Sequence, residues 1–258
     1  MRLWRQFLVQ AFIRDTHYRM HFFSTVIVGI VQLISALVPI WLLFGYTDSV
    51  RGWDRSAVVA LMGLYQIVTG LLAAFLAPNL SRMTAYISKG ELDIVLVRPV
   101  SAQFYVTFRW IDLAELGNVL TGAVILGIGL SHSDGGLGPA GIVQSIVLAG
   151  SGLVLLGCAW TALALLAFWM QSVEPIAGLF MAALETGKYP ITFFPAGVRA
   201  ALIFAFPVAF ATTFPTEALT GGIGWLPVAG GVLLGVMAVA AVRSLWRVGI
   251  RTYASASS

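Results

Sequence analysis

Apolar residues run along this chain in long blocks separated by short polar pieces. Several blocks reach the roughly 20 residues that an α-helix needs to cross a hydrocarbon layer about 30 Å thick. The runs are unbroken rather than alternating with period two, which predicts helices and excludes a transmembrane β-barrel. Lipid also imposes the helix directly, because every backbone N–H and C=O must find its partner within the chain. The pattern predicts spans at 22–44, 56–77, 106–130, 141–170 and 222–242. Gln32 and Pro39 lie inside the first, and Pro78 ends the second because it lacks a backbone donor.

Between 175 and 221 the pattern is less regular. Residues 175–196 are apolar enough for a further span but carry Glu185, Lys188 and Pro190. Residues 195–214 are apolar again, interrupted by Pro207 and closed by Pro215. Irregular backbone at membrane depth survives only where protein or a water-filled cavity covers it. The region 188–221 is therefore expected as a re-entrant helix pair on the outer side, before the last span. Residues 1–21 carry Arg2, Arg5, Arg14, Asp15 and Arg19 ahead of the first apolar run. They read as an interfacial helix rather than a signal peptide. The expected fold is an all-α membrane protein, one domain over 1–258, built as a six-span helical bundle.

Composition supports this and narrows the partners. Hydrophobic residues make up 59% of the chain and charged residues 10%, against about 25% charged in soluble domains. The mean hydropathy is +0.91. The formal net charge of +4 does not point to nucleic acid, because the basic residues flank the apolar blocks. Their expected partners are lipid headgroups. With both termini and residues 79–103 placed inside, Arg2, Arg5, Arg14, Arg19, Arg82, Lys89, Arg98, Arg109, Arg243, Arg247 and Arg251 fall on the cytoplasmic side. Only Arg51, Arg55, Lys188 and Arg199 remain outside, so the positive-inside rule selects this orientation. Cys158 is the only cysteine, which leaves no disulfide and no cysteine-based metal site.

The longest polar connection, 79–103, carries the first candidate chemistry. Leu80, Met83 and Ile87 recur at helical spacing, Gly90 permits a turn, and Pro99 stops a short helix that begins at Glu91. Leu92, Ile94, Val95 and Leu96 are that helix's expected apolar contacts. Such a piece can dock a soluble partner, its apolar stripe filling a groove and its charges setting register. It can equally lie on the membrane surface. The only Gly-Lys pair, Gly187-Lys188, is followed by Tyr189 and has Ala182 where a phosphate-binding loop requires glycine, so the chain is expected to bind no ATP.

Charges at membrane level are the second candidate. A carboxylate at the centre of a span costs about 2.5–3.5 kcal/mol on insertion scales. Asp112 and Glu115 share a helix face at a spacing of three, with Arg109 placed to pair with Asp112. They are expected as an interfacial ion pair at the inner end of their span. Glu185 and Lys188, also three apart, are expected to pair near the outer surface. His17 and His21 have metal-ligand spacing but no third ligand, so no metal site is expected. Gly231 and Gly235, and Gly150, Gly152 and Gly157, permit close helix packing, within the chain or between chains.

Two stretches carry a resemblance. KGELDIVLVRPVS at Lys89–Ser101 is similar to the Gly-Glu-Leu-Asp…Arg-Pro loop of ABC-2-type exporter permeases. GKYPITFFPAGVRAALIFAFPVAFATTFPTEALTG at Gly187–Gly221 resembles the C-terminal region of the same family. The resemblance implies the transmembrane permease subunit of an ATP-binding-cassette exporter in a bacterial inner membrane. Such a half-transporter would pair with an identical or sister permease and dock two cytoplasmic ATPases, which would carry the ATP and Mg. It places Lys89, Gly90, Glu91, Asp93, Arg98 and Pro99 in the segment that rests against the ATPase. An intramembrane enzyme would need a catalytic constellation at membrane depth, and no Gly-x-Ser-x-Gly, paired glutamates or histidine cluster is present. A non-transporting scaffold or an ion-driven secondary transporter is the alternative. The latter is favoured by inverted repeats, and none stands out.

Overall fold

The computed structural model describes residues 6–7, 9–10, 19–133, 138–170 and 173–253. The interfacial helix expected over 1–21 falls mostly outside the described residues, as does His17.

Helix α1 spans Arg19–Leu43. A two-residue hairpin follows, β1 Ser49–Val50 paired with β2 Trp53–Asp54. Its turn residues Arg51 and Gly52 both have positive φ, 50° and 85°, the geometry that matches the twist of short hairpins. Asp54 then caps α2, its carboxylate accepting from the Ala57 N–H at 3.3 Å. Helix α2, Arg55–Phe75, runs into α3, Ala77–Ser88. Pro78 sits in the first turn of α3, where a missing N–H costs nothing. The proline thus begins a helix as well as ending one, and the apolar stretch is continuous over Arg55–Ile87.

Two short helices, α4 Leu92–Leu96 and α5 Ala102–Phe108, precede a 3₁₀ turn at Leu113–Glu115 and helix α6, Leu116–Ser131. The span expected over 106–130 therefore starts at Leu113, because the chain breaks between α5 and that turn. Helices α2 and α6 pack backbone to backbone in antiparallel register. A Cβ on Gly63 would lie 2.2 Å from the Leu126 nitrogen, and one on Gly129 2.4 Å from the Ala60 nitrogen.

Helix α7, Pro139–Leu165, extends by a 3₁₀ turn to Phe168. The last helix, Trp225–Thr252, runs parallel to α7. Gly231 faces Ser151 near one end, and Gly249 faces Phe168 near the other. Between them lie α8 Glu174–Glu185, 3₁₀ turns at Thr186–Lys188 and Ile191–Phe193, α9 Ala196–Phe204, α10 Val208–Ala211 and α11 Thr213–Thr220. The last helix is accordingly α12. The expected span over 175–196 is corrected here. Helix α8 has 12 residues, about 18 Å at 1.5 Å per residue, which is half a bilayer. Among the described residues, five helices are long and apolar enough to cross a membrane, and a sixth candidate is the pair Ala196–Phe204 and Val208–Thr220, bent by 70°. The irregular backbone is covered by protein. Alpha-carbon and nitrogen of Ala211 in α10 lie 2.4 Å from where a Gly152 Cβ would stand, and the Gln144 amide donates to the Ile223 carbonyl at 2.9 Å.

Candidate functional site

Two regions bring the sequence candidates together. The first is the end of the molecule that bears residues 79–103, called here the loop end. The opposite end, bearing β1 and β2, is the hairpin end.

At the loop end Leu80, Met83 and Ile87 are buried with Leu92, Val95, Tyr105, Ile111, Leu165, Val242 and Trp246, and Phe7 joins the same cluster. The stripe expected to fill a partner's groove is therefore filled by this chain's own α5, α7 and α12. Helix α4 divides its apolar residues between two faces. Leu92 and Val95 point into the cluster at 0% and 3% exposure, while Ile94 and Val97 stand 62% and 83% exposed. Leu96, Lys89, Glu91 and Pro99 are exposed beside them. Gly90 takes φ +72°, the left-handed turn that reverses the chain between α3 and α4. Arg98 is exposed but turns back, its Nη1 donating to the Tyr105 hydroxyl at 2.8 Å with the guanidinium 4.9 Å from that ring. Asp93 is half-buried beside Tyr253, whose pKa is raised by burial and then by the Asp93 carboxylate.

Asn79 joins this region to the spans. It is fully buried. Its Nδ2 donates to the carbonyls of Phe75, 2.8 Å, and Trp110, 2.6 Å, and its Oδ1 accepts from the Trp110 N–H at 2.7 Å. The Asp112 N–H adds a bond to the Ala74 carbonyl at 2.9 Å. Asp112 does not share a helix face with Glu115. It caps the 3₁₀ turn, its carboxylate accepting from the Ala114 N–H at 3.1 Å. The expected Arg109–Asp112 contact is replaced, since Arg109 donates to the Tyr105 hydroxyl and stacks 4.9 Å from the Trp110 ring.

The second region is a cavity of about 190 Å³ among α1, α2, α6, α7 and α8, mostly apolar with several polar groups. Tyr65, Gln66 and Thr69 of α2 line it, with Glu115 and Asn118, Trp160 of α7, and Glu185 and Lys188. It unites Glu115 with the Glu185–Lys188 pair, which the sequence placed at opposite membrane faces. Glu185 and Lys188 do pair, as their spacing predicts. The Tyr65 hydroxyl donates to Glu185 at 3.2 Å, and the ammonium lies 5.6 Å from the Tyr65 ring. Tyr65 stands about 15 Å along α2 from Arg55, midway down the helix. The pair thus sits beside the middle of α2, where α8 ends at Glu185.

Glu115 accepts from the Asn118 amide at 2.8 Å, and Asn118 accepts from Gln66 at 3.2 Å. Gly29 of α1 lies over this relay, and a Cβ there would fall 2.0 Å from Asn118 Oδ1. Toward the hairpin end the cavity gives way to an apolar cluster of Ile40, Trp53, Ala57, Val58, Leu61 and Met62, with Tyr189 and Phe193 against it. Tyr65, Gln66 and Asn118 were missed in the sequence as site residues. Their signal was an amide or hydroxyl isolated within an apolar block, which lipid tolerates only when it faces protein or a cavity. Among the described residues, no three His, Cys, Asp or Glu side chains group as a metal site.

A family model described as ABC-2 family transporter protein matches residues 30–257. No curated protein and no solved structure matches the chain.

Proposed function

The chain belongs to the ABC-2 transporter family, and from that membership we propose that it is the permease subunit of an exporter driven by separate ATPases. As a permease component it supplies the membrane path. ATP and Mg reside on the partner, since no phosphate-binding loop is present in this chain. We place it in a bacterial inner membrane with both termini cytoplasmic, the orientation that puts the basic loop end inside. Parallel packing of α7 and α12 supports six crossings, because the chain between them has to return across the same thickness. Helix α8 with the 188–221 region makes that return as helix, break and outer re-entrant pair.

The observation that carries this reading is the two-faced α4. Its inner face is locked into the cluster that holds α5, α7 and α12 together at the loop end. Its outer face presents Ile94 and Val97 to solvent beside Lys89 and Glu91. A contiguous patch of exposed aliphatic groups marks a contact surface, and the charges beside this one favour a protein partner. A push on that face passes to α7 and α12 through the apolar cluster they share. Lys89, Gly90, Glu91, Asp93, Arg98 and Pro99 then have separate roles. Lys89 and Glu91 set register with the ATPase, Gly90 and Pro99 bound the docking helix, and Asp93 and Arg98 brace it from behind. The apolar cluster at the hairpin end closes the outer side, and the cavity is entered past the exposed Met181 and Glu185. Two such permeases, identical or sister, would complete the pathway.

Affinity-tagged chain extracted from native membranes in mild detergent should retain an ATPase carrying a phosphate-binding loop, in equimolar amount. Val97→Asp or Ile94→Asp should release the ATPase while leaving the permease monodisperse. Extraction that retains no nucleotide-binding partner, under conditions where ATPase and permease are both intact, would refute the assignment.

A further inference from the structure

The intramembrane cavity is unbalanced in charge. Among the described residues, two carboxylates line it, Glu115 and Glu185, with a single cation, Lys188. Lys188 is committed to Glu185. Glu115 has only the Asn118 amide as a polar partner among the described residues. A carboxylate in surroundings of low polarity is stabilised by a nearby opposite charge. The walls supply more of the same preference, because Tyr65 and Trp160 line the cavity and aromatic faces attract cations. No arginine lines it among the described residues. Its volume of about 190 Å³ lies below the roughly 300–1,000 Å³ of pockets that enclose a whole ligand. It suits a compact headgroup. Glu185 and Met181 are exposed at its rim, so an apolar tail can remain outside in lipid.

We propose that this cavity binds an organic ammonium group, with Glu115 as its ion-pair partner and Tyr65 and Trp160 as its aromatic walls. The corresponding cargo is a cationic amphiphile, an extension that rests on the permease reading. The binding site itself does not rest on it. Charge selection follows from the geometry. An anion meets two carboxylates, and a neutral molecule leaves Glu115 uncompensated.

The test is equilibrium dialysis on the full chain in lipid nanodiscs, which needs no ATPase. Benzyltrimethylammonium is the probe, neopentylbenzene its uncharged isostere and benzenesulfonate the anion. Saturable binding is expected for the cation alone. Glu115→Gln keeps the hydrogen bond to Asn118 and should weaken cation binding at least about tenfold, the loss expected for one charge-assisted contact. Lys188→Met frees Glu185 and should tighten binding. Equal binding of the cation and its isostere would overturn the proposal, as would unchanged affinity in Glu115→Gln. Should Glu115→Gln fail to give monodisperse protein, unchanged or weaker binding in Lys188→Met overturns it. Cation binding by a chain that retains no ATPase would remove the cargo assignment and leave the site standing.

Discussion

Replacing Asn79 by alanine tests how the loop end is tied to the spans. The side chain makes three hydrogen bonds of 2.6–2.8 Å, one to Phe75 within the α2–α3 junction and two that bridge it to Trp110 after α5. The junction needs them because Pro78 has no N–H and the helix pattern is interrupted at Leu76. A typical intramolecular hydrogen bond contributes about 1 kcal/mol net, so three removed together cost roughly 3 kcal/mol. For chains of this size that corresponds to a thermal midpoint lowered by about 6–12 °C. The assay is thermal unfolding of purified protein in one detergent, with Ser244→Ala as control. Ser244 is exposed and bonds only to the Ala240 carbonyl of its own helix at 3.0 Å. Asn79→Asp should be at least as destabilised as alanine, because it buries a carboxylate oxygen against the Phe75 and Trp110 carbonyls where the amide donated. A midpoint for Asn79→Ala that matches the Ser244→Ala control would refute the view that this residue clamps the two regions.

Other consequences follow from the same packing. Gly63→Ala places a Cβ 2.2 Å from the Leu126 nitrogen, where ordinary contact begins at 3.4 Å. It should separate α2 from α6 and cost about 1–3 kcal/mol in unfolding measurements. Gly127→Ala, which meets nothing within 4 Å on the same helix α6, should be neutral or stabilise by about 0.5–1 kcal/mol. Leu92→Asp buries a charge in the loop-end cluster and should prevent isolation of monodisperse protein. Glu91→Lys should leave the melting curve intact while ATPase turnover in reconstituted vesicles no longer responds to transport. Retained coupling in that variant would remove Glu91 from the docking face.

The spans were legible because burial in lipid leaves a long uninterrupted record, and 141–170 and 56–77 lie close to the helices at Pro139–Phe168 and Arg55–Phe75. The half-helix α8 was not, because periodicity and composition over 175–196 are the same whether a helix runs on or stops at Glu185. What stops it is tertiary, the seating of the chain that follows against Tyr65 and α7. At the loop end the sequence located the segment but not the use of its stripe. Leu80, Met83 and Ile87 face inward because α5 and α12 supply a groove within the same chain, and no local pattern separates a groove in the chain from one in a partner. The pairing of Glu185 with Lys188 was readable from spacing. Their meeting with Glu115 in one cavity was not, since it depends on which faces of α2 and α6 adjoin. Asn79 and Asn118 were similarly silent, each a single amide whose importance appears only when its partners, distant in sequence or on another helix, are in place.

As a docking face for the ATPase, the outer face of α4 must lie in the cytosol. Val97→Cys in a Cys158→Ala background puts one thiol on that face, at a position 83% exposed. A membrane-impermeant maleimide should label it in inverted membrane vesicles and not in sealed right-side-out vesicles, and bound ATPase should protect it. Labelling from the right-side-out face, or labelling in inverted vesicles undiminished by the ATPase, would contradict the account.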